Sequence, residues 1–178
     1  DLAALSALRD QLRDQLSEGG VDAALEQLVM AEQTARQARD QVNQQLTRHR
    51  EQAARCLERT LLDHLRPMGM ANVRFQVAIN PCEPGEQGAD AVQFLFSANP
   101  GQPLAPLAEV ASGGEMSRFL LALKTCLAGV DGSSSLLFDE IDSGVSGRVS
   151  GAMADLLRTM AAQPQVFCVT HQPLVAAA

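Results

Sequence analysis

The sequence predicts an α/β fold joined to a helical coiled-coil arm, and two observations carry this. Residues 1–66 contain no proline and no aromatic residue, whereas all six Phe and all eight Pro lie beyond them. The rest of the chain alternates amphipathic helical stretches with short apolar runs, the pattern of a parallel sheet with helical crossovers. With 178 residues the chain can bury a core, as one domain or two small ones.

The arm comes first. Leu2, Leu5, Leu8, Leu12 and Leu16 mark one helical face. Gly19-Gly20 is the expected end of that helix. A second helix follows from about Val21 to Arg66, and at 1.5 Å per residue it would span roughly 69 Å. Its apolar positions (Leu25, Leu28, Ala35, Val42, Leu46, Ala53, Cys56) approximate a heptad, with Glu32, Arg39 and His49 interrupting it. This reads as two antiparallel arms of a coiled coil over residues 1–66, with a helical bundle or one long surface helix as the alternative. His49 and His64 belong to the faces of the long helix.

Residues 67–178 have another period. Val73, Phe75, Val77 and Ile79 alternate with polar or small residues, as do Val92, Phe94 and Phe96, so two half-buried strands are expected. Pro81 to Asp90 holds Pro, Gly and acidic residues and reads as an exposed loop. Asn99 to Pro103 is a second turn-rich connector. An amphipathic helix then runs to about Leu127, with Met116, Phe119, Leu120, Leu123 and Leu127 on one face. Leu136-Leu137-Phe138 is a buried strand ending in Asp139-Glu140. A helix from about Ser146 to Ala162 leads to a second buried strand, Val166 to Val169, ending at Thr170-His171. In parallel sheets ligands gather at the carboxyl ends of the strands, where Asp139, Glu140 and His171 fall.

Composition narrows the function. Hydrophobic residues make up 46% and charged residues 20%, a globular balance. The net charge is −7, from 14 basic and 21 acidic residues, and Trp and Tyr are absent. An autonomous nucleic-acid binder needs a basic stripe with stacking aromatics, which this is not. No apolar run is long enough for a membrane span. Cys56, Cys82, Cys126 and Cys168 lack metal-ligand or CxxC spacing and read as reduced thiols. The start at Asp1 and the end inside an apolar stretch, Pro173 to Ala178, lead to the expectation that this is a piece of a longer chain.

Three constellations carry chemistry. Ser112-Gly113-Gly114 opens a helix, where free N–H groups and the helix dipole favour an anion, although an ordinary loop with a Ser cap has the same sequence. Asp139 could hold Mg²⁺ and Glu140 could orient or deprotonate a water, although strands also end in carboxylates simply because they end at solvent. His171 could donate to a γ-phosphate, although a lone His is more often structural.

Their order is more specific than any one of them. Ser112-Gly113-Gly114-Glu115 resembles the signature motif of ABC-type ATPases, in the SMC form with Glu after the glycines. Leu136 to Glu140 resembles Walker B plus the catalytic glutamate. Ser143-Gly144-Val145-Ser146 stands where the D-loop belongs, with Ser146 where an Asp is common, and Thr170-His171 resembles the switch histidine. Within that group, Asn99 to Leu107, Val110 to Arg118 and Phe138 to Gly147 resemble the RecN family of SMC-like bacterial DNA repair ATPases. The likeness is strong from about Gly88 to Ala178 and only one of type over the arm.

The resemblance implies the C-terminal lobe of an ABC/SMC-type P-loop NTPase head with an antiparallel coiled-coil arm. It implies ATP and Mg²⁺ as cofactors, with Asp139 as metal ligand and Glu140 and His171 as catalytic groups. Ser112, Gly113, Gly114, Glu115, Ser143 and Gly144 would be nucleotide-binding. It further implies a homodimer sandwiching ATP between heads, action on DNA in double-strand break repair and recombination, and a cytoplasmic, nucleoid-associated location. A P-loop, Gly-x-x-x-x-Gly-Lys-[Ser/Thr], is missing: the single lysine, Lys124, follows Leu123 inside the amphipathic helix. The Walker A motif would then belong to an N-terminal lobe, and this piece alone is expected to be inactive. The rivals are the head of a chromosome-organising SMC protein, a transporter nucleotide-binding domain, which Glu115 disfavours, and a non-catalytic coiled-coil scaffold, which intact Asp139-Glu140 and His171 disfavour.

Overall fold

The computed structural model describes residues 2–15, 18–99, 101–109, 113–128, 130, 135–139, 141–142, 144–145, 147–162 and 165–177. The chain forms two units, Asp1–Leu46 and Thr47–Ala178.

The first unit is helical: α1 (Leu2–Gln15) and the opening turns of α2 (Glu18–Leu65). Strong helix formers dominate both, and exposed pairs such as Glu32–Arg36 (2.6 Å, i,i+4) add about 0.2–0.5 kcal/mol each. Gly19 and Gly20 do not end a helix but are helical themselves, within α2. A glycine inside a helix costs only about 1 kcal/mol relative to alanine, which the strong helix formers around it offset. The stripe of Leu2, Leu5, Leu8 and Leu12 on α1, and of Leu25, Leu28 and Val42 on α2, is exposed. Leu16 lies outside the described residues.

The second unit begins within α2, earlier than the 66/67 composition change. The reason is a new buried face: Ala54, Leu61 and Leu65 are all buried. Strands β1 (Arg74–Gly85) and β2 (Gly88–Ser97) form an antiparallel hairpin, with the short β3 (Ala105–Pro106) on the far side of β2. Phe75 pairs with Phe96, Val77 with Phe94 and Ile79 with Val92, so one face is apolar. The exposed loop expected over 81–90 is mostly strand: pairing runs past Pro81↔Asp90 to Gly85↔Gly88, with an irregularity between Pro81 and Gly85. Both prolines lie on β1, which is an edge strand and tolerates them.

Two contacts fix this hairpin to α2. Glu58 accepts a hydrogen bond from the Val77 N–H (2.8 Å), covering a donor on the edge strand. Asp90 accepts from Thr47 Oγ1 (2.7 Å) and pairs with Arg50 (3.3 Å), which also donates to the Gln87 carbonyl (2.6 Å). The connector after β2 is tied down as well. Ser97 Oγ lies 3.2 Å from the Asn99 carbonyl and 3.1 Å from that of Gln102, to which Arg74 also donates.

Beyond one turn of tighter helix (Leu107–Glu109) comes α3 (Gly113–Leu127). Phe119, Leu121 and Ala122 are fully buried and Leu120 is exposed, so the inward face is rotated from the expected one. The Phe119 ring packs against Phe96 edge-on (4.9 Å) and against Phe75 (5.5 Å). Strand β4 (Ser135–Asp139), helix α4 (Arg148–Met160) and strand β5 (Gln165–Val169) make a parallel crossover unit, closed by α5 (Pro173–Ala176). Leu136, Phe138, Val166 and Cys168 face the core. Leu137 (71% exposed), Phe167 (50%) and Val169 (50%) do not, so the expected fully buried strands are covered on one face only. Among the described residues, no helix is long and apolar enough to cross a membrane.

Candidate functional site

Asp139 ends β4 and stands in register with Val169, the last residue of β5. Because the strands are parallel, both carboxyl ends open on one side, and Thr170-His171 follows directly there. Asp139 and His171 are exposed. One residue inward, the Cys168 thiol is pushed up in pKa by burial, then by the negative charges of Asp142 and Asp139.

Asp142 is buried and joins the two strand-end loops. Its Oδ2 accepts hydrogen bonds from the Thr170 hydroxyl, the His171 N–H (3.2 Å) and the Gln172 N–H (3.1 Å). The Gln172 N–H also reaches Thr170 Oγ1 (3.0 Å). Burial by itself raises the carboxyl pKa, but these donors outweigh it and hold the Asp142 carboxyl below the usual range. Its carbonyl accepts from the Val145 N–H (3.2 Å), closing a turn in which Gly144 adopts φ +73°, a left-handed conformation suited to glycine.

Of the other expected site residues, Gly113, Gly114 and Glu115 occupy the first turn of α3. The half-buried Glu115 complements the positive end of the helix dipole. This turn and the β4–β5 strand ends are separate places in the fold. Ser112, Glu140, Ser143 and Ser146 lie outside the described residues.

Among the described residues, no group of three His, Cys, Asp or Glu side chains could hold a metal ion. Among the described residues, the carboxylate that ends β4 is the exposed Asp139. That suits Mg²⁺ arriving with phosphate oxygens and its own waters, rather than a resident metal in a protein cage.

Sequence reasoning missed Asp142. Asp before Ser-Gly is a turn signal. Nothing local reveals that its carboxylate reaches residues 28 to 30 positions later. The four thiols are free, and burial raises Cys126 first and foremost, to about 11. Away from this site, Ala54, Leu57, Val77, Phe94 and Cys126 line an apolar groove of about 460 Å³ between α2 and the hairpin.

No family model matches the sequence. The DNA repair protein RecN of Synechocystis sp. is 46% identical over 165 residues, 92% of this chain and 28% of that protein. RecN of Halalkalibacterium halodurans is 41% identical over 161 residues, covering 88% and 28%. RecN of Xylella fastidiosa (strain Temecula1) is 36% identical over 177 residues, covering 97% and 32%. The chain therefore spans between 28% and 32% of the length of these relatives. Two solved structures share the fold. The Smc head domain with a coiled coil and joint from Pyrococcus yayanosii has a TM-score of 0.66 at 15% identity, over 99% of this chain and 33% of that one. The Smc head domain with an extended coiled coil from Pyrococcus furiosus, bound to the C-terminal domain of ScpA, has a TM-score of 0.65 at 16% identity, over 99% and 44%. By its sequence the chain belongs with the RecN proteins, and by its fold with SMC head domains that carry a coiled coil.

Proposed function

We propose that this chain is the carboxylate and signature lobe of an ATP-hydrolysing head within a longer SMC-like protein of DNA double-strand break repair and recombination. The observation that carries this is the register of Asp139 with Val169, which brings an acidic strand end and Thr170-His171 to one edge of a parallel pair. The 36–46% identity to proteins named for DNA repair favours repair over chromosome organisation.

Bound MgATP supplies the electrophilic phosphorus and a cation to neutralise its oxygens. Asp139 would hold the Mg²⁺. Glu140 orients the attacking water and takes its proton on a carboxylate oxygen. His171 donates to the γ-phosphate. Ser112, Gly113, Gly114 and Glu115 close on a nucleotide carried by a second head of the same protein, and Ser143-Gly144 contributes to nucleotide binding from the loop after β4. Backbone N–H groups at the start of α3 supply donors for that contact.

The lobe needs cover from the rest of the protein. Leu137, Phe167 and Val169 form an apolar face on a parallel pair, and parallel sheets are normally covered on both sides. An N-terminal lobe with the Walker A motif supplies this layer, and a helix from the same region covers the exposed stripe of α2. DNA is engaged by the full assembly, in the cytoplasm at the nucleoid.

The test uses the full-length protein. Glu140→Gln is expected to lower ATP turnover by about 10²–10⁴-fold while nucleotide-driven dimers persist. Ser112→Arg is expected to abolish those dimers. Unchanged turnover in the first variant sinks the catalytic assignment, and persistent dimers in the second sink the contact across heads. Turnover by the 178-residue chain alone, lost in Glu140→Gln, would overturn the view that it needs a second lobe.

A further inference from the structure

We infer that Asp142 is a positioning residue, fixing the backbone that carries His171 against the strand end that carries Asp139 and Glu140. The inference rests on the reading of this edge as an ATP site, and deepens it.

Asp142 is committed through both its side chain and its main chain. It is 3% exposed. Its Oδ2 takes three donors from the loop after β5: the Thr170 hydroxyl, the His171 N–H and the Gln172 N–H. Hydrogen bonds to a carboxylate are roughly twice as strong as neutral ones. Its main chain is committed too, because the Asp142 carbonyl begins the turn to Val145. One residue thus fixes the loop leaving β4 and the loop leaving β5. The strand ladder itself ends at Asp139↔Val169, so these bonds lie beyond it.

Buried, and with three donors on one oxygen, Asp142 acts through its neighbours. Its side chain does not set where the His171 imidazole points. It sets where the His171 backbone lies, and so where that imidazole starts from. Ser143 and Gly144, adjacent in sequence, belong to the segment assigned to the interface between heads. The Asp142 side chain links that segment to the His171 backbone. Misplacement of a catalytic group by about 1 Å costs on the order of 10²-fold in rate, which sets the size of the expected effect.

The test compares Asp142→Ala, Asp142→Asn, Thr170→Val, His171→Ala and the double variant Asp142→Ala/His171→Ala in the full-length protein. The readouts are kcat, KM and affinity for a fluorescent ATP analogue. Asp142→Ala is expected to lower kcat by about 10²-fold, with KM and nucleotide affinity within about threefold of the parent. Asp142→Asn keeps an acceptor oxygen and should recover part of the rate, and Thr170→Val should lose less than Asp142→Ala. The deciding comparison is the double variant, which should be within about twofold of His171→Ala alone. A purely structural role would instead multiply the two losses, or appear in KM, and either result overturns the inference. If Asp142→Ala does not fold, Asp142→Asn and Thr170→Val decide on the same criteria. Parental rates in both, with His171→Ala slow, overturn the inference alone. A parental rate in His171→Ala overturns the assignment of His171 itself, and the inference with it.

Discussion

The two sheets of the second unit are made of similar residues and end in different states. In the antiparallel sheet, Phe75 and Phe96 are paired across the ladder and buried against Phe119 of α3. In the parallel pair, Leu136, Phe138, Val166 and Cys168 face the core while Leu137, Phe167 and Val169 face outward. The first sheet is completed by its own chain. The second presents apolar side chains on a face that its own chain leaves open, and it is the one that carries Asp139 and His171. The aromatic cluster and the residues proposed for this unit's chemistry are therefore on different sheets.

The sharpest way to break that contrast is a pair of core substitutions in this chain. Phe119→Ala removes the ring packed against Phe75 and Phe96 and is expected to cost about 3–5 kcal/mol of unfolding free energy. Leu137→Ser alters an exposed position and should stay within about 0.5 kcal/mol of the parent. Urea unfolding measures both. A loss in Leu137→Ser as large as that in Phe119→Ala would mean that the outward face of β4 is covered within this chain.

The same contrast explains what could be read from the sequence. Alternation at residues 73–79 and 92–96 located the hairpin strands, because an antiparallel sheet with one buried face shows a period of two. The turn region at 81–90 misled, because proline and acidic residues also suit an exposed edge strand. The apolar runs at 136–138 and 166–169 were legible as parallel strands. Their one-sided cover was not, because such runs record a sheet buried on both faces whatever chain supplies the cover. At the site, the motif spacing located Asp139, His171 and the start of α3. Asp142 escaped because its partners are distant in sequence and mostly backbone groups, which carry no residue-type signal.

A smaller effect separates the two sheets by how they are anchored. The hairpin is held to α2 through Asp90, whose side chain is 5% exposed and takes Thr47 and Arg50. Asp90→Ala leaves both donors without that acceptor and is expected to cost about 1–3 kcal/mol, read by urea unfolding. Asp90 lies on β2, so the loss should come with faster amide exchange in the hairpin and unchanged exchange in β4 and β5. Equal acceleration in both sheets would show that they open as one cooperative unit.

The smallest expected effect concerns acid. Asp142 is the corresponding buried carboxylate of the parallel pair. Burial raises its pKa, and the Thr170 hydroxyl and the Gln172 and His171 N–H groups more than reverse this, holding it below the ordinary 3.8. A carboxyl whose pKa is depressed by folding binds its proton more readily in the unfolded chain. Its contribution to stability is therefore fully present above the unfolded-state value and is lost as pH falls through the folded-state value. Other acidic groups add their own slopes, so the measurement must be a difference. Unfolding free energy is followed from about pH 5 to about pH 3, on either side of the usual aspartate range, in the parent and in Asp142→Asn. The variant keeps an acceptor oxygen but cannot ionise, so its stability should fall less steeply over that window. Parallel slopes would show that the Asp142 carboxylate gains nothing from its three donors, and would leave the parallel pair without the charged clasp that sets it apart from the hairpin.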